Sequence, residues 1–134
     1  MEFNIKQGAS QPVLVMKVTN DSNHSYEKFH TALENSTITF SMMDVESGKY
    51  RITKKRGGLI QNTSPVLREE EYFIYYKFTE KDTNHPGKYK GEFKIEFYDT
   101  VPTIMTGTFI APLGEDLIIN VVNSIFTEEN LNNK

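Results

Sequence analysis

No cysteine occurs among the 134 residues, so the chain can form no disulfide, thiolate metal site or cysteine nucleophile, and packing and backbone pairing must hold it together. That suits synthesis in a reducing cytoplasm. Tryptophan is absent as well, yet nine Phe and seven Tyr bring aromatic content to 12%, enough bulk to fill a sheet-lined core. A strong charge of either sign is also missing. Fifteen Lys and Arg are interspersed with eighteen Asp and Glu for a net charge of -3, which leaves no electrostatic footprint for a nucleic-acid backbone. No run of about 18 uncharged apolar residues could span a bilayer. The opening MEFNIKQGAS lacks a basic stretch followed by an apolar one, so the chain is expected to be neither secreted nor membrane-spanning. A serine nucleophile elbow, a glycine-rich dinucleotide loop and a zinc-protease helix are all lacking, so neither catalysis nor a cofactor is expected.

What is present is a series of short apolar-alternating segments separated by turn residues, the spacing of an antiparallel sandwich or barrel in a single domain. Strands are expected at Glu2 to Lys6, Val13 to Thr19, Thr37 to Met43, Tyr50 to Ile52 and, briefly, LIQN. Further strands are expected from Glu71 in EYFIYYKF, at Lys88 to Phe97, at Thr103 to Ile110 and at Asp116 to Val122. FHTALENS predicts a short helical turn, KKRGG a loop, Pro65 a break, and TEENLNNK, residues 127–134, a polar tail after a domain at 1–126. The clearest alternation is at Lys88 to Phe97, where Tyr89, Phe93, Ile95 and Phe97 share one face and Lys88, Lys90, Glu92, Lys94 and Glu96 the other. Gly91 falls on the apolar face, which predicts a bulge or the close approach of a bulky ring.

Just before this strand, Asp82 leads into a turn at Pro86-Gly87 and then to Tyr89. In immunoglobulin-like sandwiches a Tyr so placed anchors the preceding corner through its hydroxyl. Asp82, Pro86, Gly87 and Tyr89 are therefore expected to form a structural corner, with Pro86 stiffening it and Gly87 taking up unusual backbone angles. Three segments, FNIKQGASQPVLVMKVTND, STITFSMMDVESGKY and YYKFTEKDTNHPGKYKGEFKIEF, together resemble the N-terminal domain of phage baseplate upper proteins, immunoglobulin-like modules of tailed-phage virions. EYFIYYKF is longer than that family's usual aromatic segment before the corner. The resemblance implies an immunoglobulin-like β-sandwich of about seven to nine strands. It also implies a structural place in a virion, among other virion proteins or further copies of this chain, after synthesis in a bacterial host.

Chemistry-bearing residues favour plain explanations. His24, His30 and His85 lie in expected loops without further ligands at metal-binding spacing. Glu69, Glu70 and Glu71 repel one another and alternate in direction, so they make no general acid and base pair. Lys54, Lys55 and Arg56 lack the spacing and following helix of a phosphate loop, and Asp99, Glu115 and Asp116 suit turns better than a calcium site.

The informative excess is apolar. A sandwich strand needs one apolar face, yet EYFIYYKF points Tyr72, Ile74, Tyr76 and Phe78 one way and Phe73 and Tyr75 the other. In VLVMKV, Val13 and Val15 oppose Leu14, Met16 and Val18, and LIINVV behaves likewise around Ile118. Either loops or the short helical segment cover these outer rows, or the rows meet other proteins. Phe73, Tyr75, Val13, Val15 and Ile118 are thus the candidate interface, while a carbohydrate- or surface-binding module is the rival reading.

Overall fold

The computed structural model describes residues 1–19, 26–64, 69–98 and 107–126. The polar tail at 127–134, His24, Pro65, Asp99 and the first part of the strand expected from Thr103 lie outside them. In chain order come β1 (Glu2–Lys6), β2 (Leu14–Val18), α1 (Tyr26–Glu34), β3 (Thr37–Asp44), β4 (Tyr50–Arg56), β5 (Gly58–Ser64), β6 (Glu69–Tyr76), β7 (Gly87–Phe97), β8 (Gly107–Ala111) and β9 (Leu117–Val122). They form two packed sheets. One holds six strands in the order β1-β9-β7-β3-β4, with β8 also on β7, and the other holds β2-β6-β5.

This is an all-β, immunoglobulin-like sandwich. Lettered in chain order, β2, β6 and β5 take the places of strands B, E and D, while β3, β7 and β9 take those of C, F and G. Adjacent to C, β4 extends that sheet as C′ does in variable-type domains. Every pair is antiparallel except one: β1 lies parallel to β9, from Glu2 opposite Ile118 to Lys6 opposite Val122. β9 pairs with β7 at Gly87 to Gly91 and β8 pairs with it at Phe93 to Phe97, so both run along one flank of β7 in the same direction. The segment between them interrupts a rail and does not reverse the chain.

The core forms where the inward rows of both sheets meet. Phe40 and Phe93 are fully buried, and the Phe40 ring lies 4.8 Å from Tyr76, 4.9 Å from Phe93 and 6.0 Å from Phe78. Tyr72, Ile74, Tyr76 and Phe78 face inward, as the alternation of β6 predicts. Gly91 sits opposite Met42 in unbroken register, so the close-approach alternative holds there. A Cβ on Gly91 would stand 2.8 Å from Phe40 Cζ and 2.6 Å from Ile119 Cδ1.

Three elements differ from expectation. α1 begins earlier and runs to Glu34, because an amphipathic segment gains from burying Ala32 and Leu33 in the core. KKRGG is largely strand. β4 continues to Arg56, opposite Thr39, since lysines suit an edge strand as well as they suit a loop. Its register with β3 shifts twice, and Lys54 sits in the shifted stretch at φ 46° with its N–H donating to Ser41 Oγ at 2.9 Å. Finally, β5 is seven residues long and not a brief run, because it pairs with β6 along its whole length.

Candidate functional site

The corner before β7 is held by the densest side-chain hydrogen bonding among the described residues. Asp82 and Thr83 are its buried polar pair. One Asp82 oxygen accepts from Tyr76 Oη at 2.6 Å and from the Thr79 N–H at 2.9 Å, and the other from Lys55 Nζ at 2.8 Å. Thr83 donates its hydroxyl to the Ala9 carbonyl at 2.8 Å, and Gly8 N–H returns a bond to the Thr83 carbonyl at 3.0 Å. From the edge strand, Arg51 donates to the Lys81 carbonyl at 2.5 Å and to Asn84 Oδ1. Tyr89 donates to the His85 carbonyl at 2.7 Å, four residues upstream, the anchor expected of a tyrosine corner. Gly87 has φ 156°, which L side chains rarely adopt.

The electrostatics of this corner are those of a clasp. Burial pushes the Asp82 carboxyl up, but the bonds from Lys55, the Thr79 N–H and Tyr76 outweigh it and hold the group below its ordinary value. Tyr76 is pushed well above 10.0 by burial, by its bond to Asp82 and by the Asp82 charge. Burial also raises Tyr89. Both Asp82 oxygens are spoken for and the Tyr76 proton is held fast, an arrangement suited to cross-linking strands and ill suited to moving protons at neutral pH.

Sequence weighed Lys55 only as part of a basic cluster that could touch phosphate, and it placed neither Lys55 nor Arg51 at this corner. Lys55 pairs with Phe40, whose ring is in the core, so its stem starts on the inner face and its ammonium reaches Asp82. The register shift hid this, because strict alternation through Tyr50, Arg51 and Ile52 does not carry to Lys55. The other titratable candidates are dispersed. His30 meets Tyr72 Oη at 3.1 Å and Glu34 at 2.8 Å, His85 meets Asn84 at 2.5 Å, Glu115 pairs with the N-terminal amine, and Asp116 pairs with Lys90. No group of three or more metal-ligating side chains occurs among the described residues.

The second feature is the outer face of the three-stranded sheet. Register places Val15 opposite Tyr75 and Tyr75 opposite Gly58, and the next outer row is Lys17, Phe73 and Ile60. These residues share one face. Val15 is 45% and Ile60 43% exposed, and Phe73 and Tyr75 are half-buried between them. The Tyr75 ring lies across Gly58, whose missing side chain makes room for it. At the margin Lys17 pairs with Glu71 at 3.7 Å. Val13 is half-buried one residue before β2. α1 does not cover these outer rows through His30, which meets the inward-facing Tyr72.

Ile118 lies elsewhere. It belongs to the outer face of the six-stranded sheet, with Glu2 on one side and Lys90 on the other. The structure thus gathers Phe73, Tyr75 and Val15 into one apolar face and leaves Ile118 among charges on the opposite side of the molecule. Ile60, which completes the face, was missed because LIQN is too short to reveal which residues point outward. On that opposite side a concavity of about 340 Å³ is lined by residues that include Ser41, Tyr50, Lys54, Glu92, Lys94 and Ile110. Tyr50 is 65% exposed there. The chain matches no family model, no curated protein and no solved structure.

Proposed function

We propose that the chain is a non-catalytic structural protein that works by docking other proteins on the outer face of β2-β6-β5, as a component of a tailed-phage virion. The observation that carries the docking reading is the apolar row of Val15, Tyr75, Phe73 and Ile60, rimmed by the Lys17–Glu71 pair. Aromatic residues surrounded by a polar margin are the usual anchors of protein interfaces. The virion reading rests on the resemblance to phage baseplate upper proteins in the three quoted segments. Capsid surface, head-fibre or tail adaptor, and baseplate are all places such a module can occupy. Mass spectrometry of purified particles whose genome encodes the chain tests this reading. The chain should be present at a fixed copy number, hundreds per particle for a capsid accessory and tens for a tail part. Its absence from particles contradicts the proposal.

One observation favours a second reading, a carbohydrate-binding module: the concavity beside exposed Tyr50 offers a ring and several polar groups together. A glycan array distinguishes the two. Binding that disappears in Tyr50→Ala supports the module, and a blank array removes it.

A further inference from the structure

Sheet edges invite pairing, and most edges of this molecule are blunted. β4 carries Lys54, Lys55 and Arg56 and shifts register twice. β1 has five residues with Glu2 and Lys6 at its ends, and β2 has five with Lys17 near its centre. β8 is uncharged but also only five residues long. β5, Gly58 to Ser64 (GLIQNTS), is different. It has seven residues without charge or proline and pairs with β6 in seven unbroken steps. It is the longest uncharged edge among the described strands, and its described backbone–backbone pairing is to β6.

We propose that a second copy of this chain pairs with β5 edge to edge, antiparallel, to give a continuous six-stranded sheet β2-β6-β5-β5-β6-β2 across a two-fold axis. Self-pairing suits this segment for two reasons. Antiparallel alignment of a strand with itself sets no like charges opposite each other, because GLIQNTS has none. The register that pairs all seven residues centres the axis on Gln61 and sets Ile60 opposite Asn62 of the second copy. The two Ile60 side chains then become diagonal neighbours, on the order of 7 Å apart, on the same outer face. The apolar rows of the two copies thereby join into one surface, and a side chain 43% exposed in the single chain gains cover. Such a contact is isologous and closed, so it stops at two.

This goes beyond the docking reading, which concerns another protein on the flat of the sheet, and the two fail separately. Sedimentation equilibrium of the full chain should give twice 15.4 kDa at micromolar concentration. Ile60→Lys, which sets two cations diagonally across the axis, should return the mass to 15.4 kDa, while Val15→Lys on the far strand should leave the dimer intact. Amide hydrogen exchange of residues 58–64 should slow as concentration rises, a readout that needs no variant to fold. A chain monomeric throughout that range overturns the proposal. So does a dimer whose β5 amides exchange at a concentration-independent rate, or one dissociated by Val15→Lys and not by Ile60→Lys. Particle incorporation that depends on Phe73 and Tyr75 while the chain sediments as a monomer leaves the docking reading standing alone.

Discussion

Asp82 shows how one side chain couples three parts of the chain. Its carboxylate takes a proton donor from the end of β6, a backbone N–H from the corner itself and a cation from edge strand β4. Because its folded-state pKa is depressed below the ordinary 3.8, its contribution is fully present above that value. It drains away as pH falls through the lower, folded value. Asp82→Asn should therefore cost about 1–3 kcal/mol at neutral pH, since Tyr76 and Lys55 lose their anionic acceptor, and should flatten the loss of stability at the acid end. Urea unfolding of both proteins at neutral pH and below pH 4 checks this. Equal acid sensitivity would remove Asp82 from the account. The Tyr76 hydroxyl has the opposite sign: its stabilisation is intact below 10.0 and fades as pH rises through the elevated folded value. Of this network, the sequence made Asp82 and Tyr89 visible, because a turn followed by a core-facing Tyr is a local signal. Thr79 lies in the corner itself, three residues before Asp82, whereas Tyr76, Lys55 and Arg51 come from strands β6 and β4, and no local rule foretells which of these reach Asp82.

At the scale of elements, β7 was legible throughout because an interior strand with one wet face obeys strict alternation. β4 was not. Its basic residues resemble a loop in composition, and its register shifts break the two-residue period on which any reading of faces depends. Gly91 marks a close fit of β7 against its neighbours, where the Phe40 ring of β3 and the Ile119 side chain of β9 fill the space a Cβ would need. Gly91→Ala should cost about 1–3 kcal/mol by overpacking a site that cannot relax, since Phe40 has no exposed surface. The same substitution in a Phe40→Leu background should cost clearly less, the signature of direct contact in a double-mutant cycle. Additive costs would mean that the ring is not what excludes a larger residue. At the other end of the strand pair, Gly57 stands where β4 leaves one sheet and β5 enters the other. Its missing side chain lets the Tyr75 carbonyl approach to 2.6 Å of the Cβ position. The sequence marks this corner only as a pair of glycines.

For the whole molecule, the sandwich divides its work between two outer surfaces. The six-stranded sheet presents the alternating charges of β7, and the three-stranded sheet presents Val15, Ile60, Phe73 and Tyr75. Surplus apolar residues on β2 and β6 were readable from sequence, because both faces of each strand are apolar. Their joining into one surface was not, since that depends on which strands are neighbours. Ile118 carries the same sequence signal, yet its strand lies between β1 and β7, where Glu2 and Lys90 flank it. The most direct measurement is therefore particle incorporation of a Phe73→Asp, Tyr75→Asp double variant beside the original chain. The variant should still unfold cooperatively, about 1–2 kcal/mol less stable because both residues are half-buried, and should be missing from purified particles. Incorporation of the variant at the copy number of the original chain would contradict the docking reading.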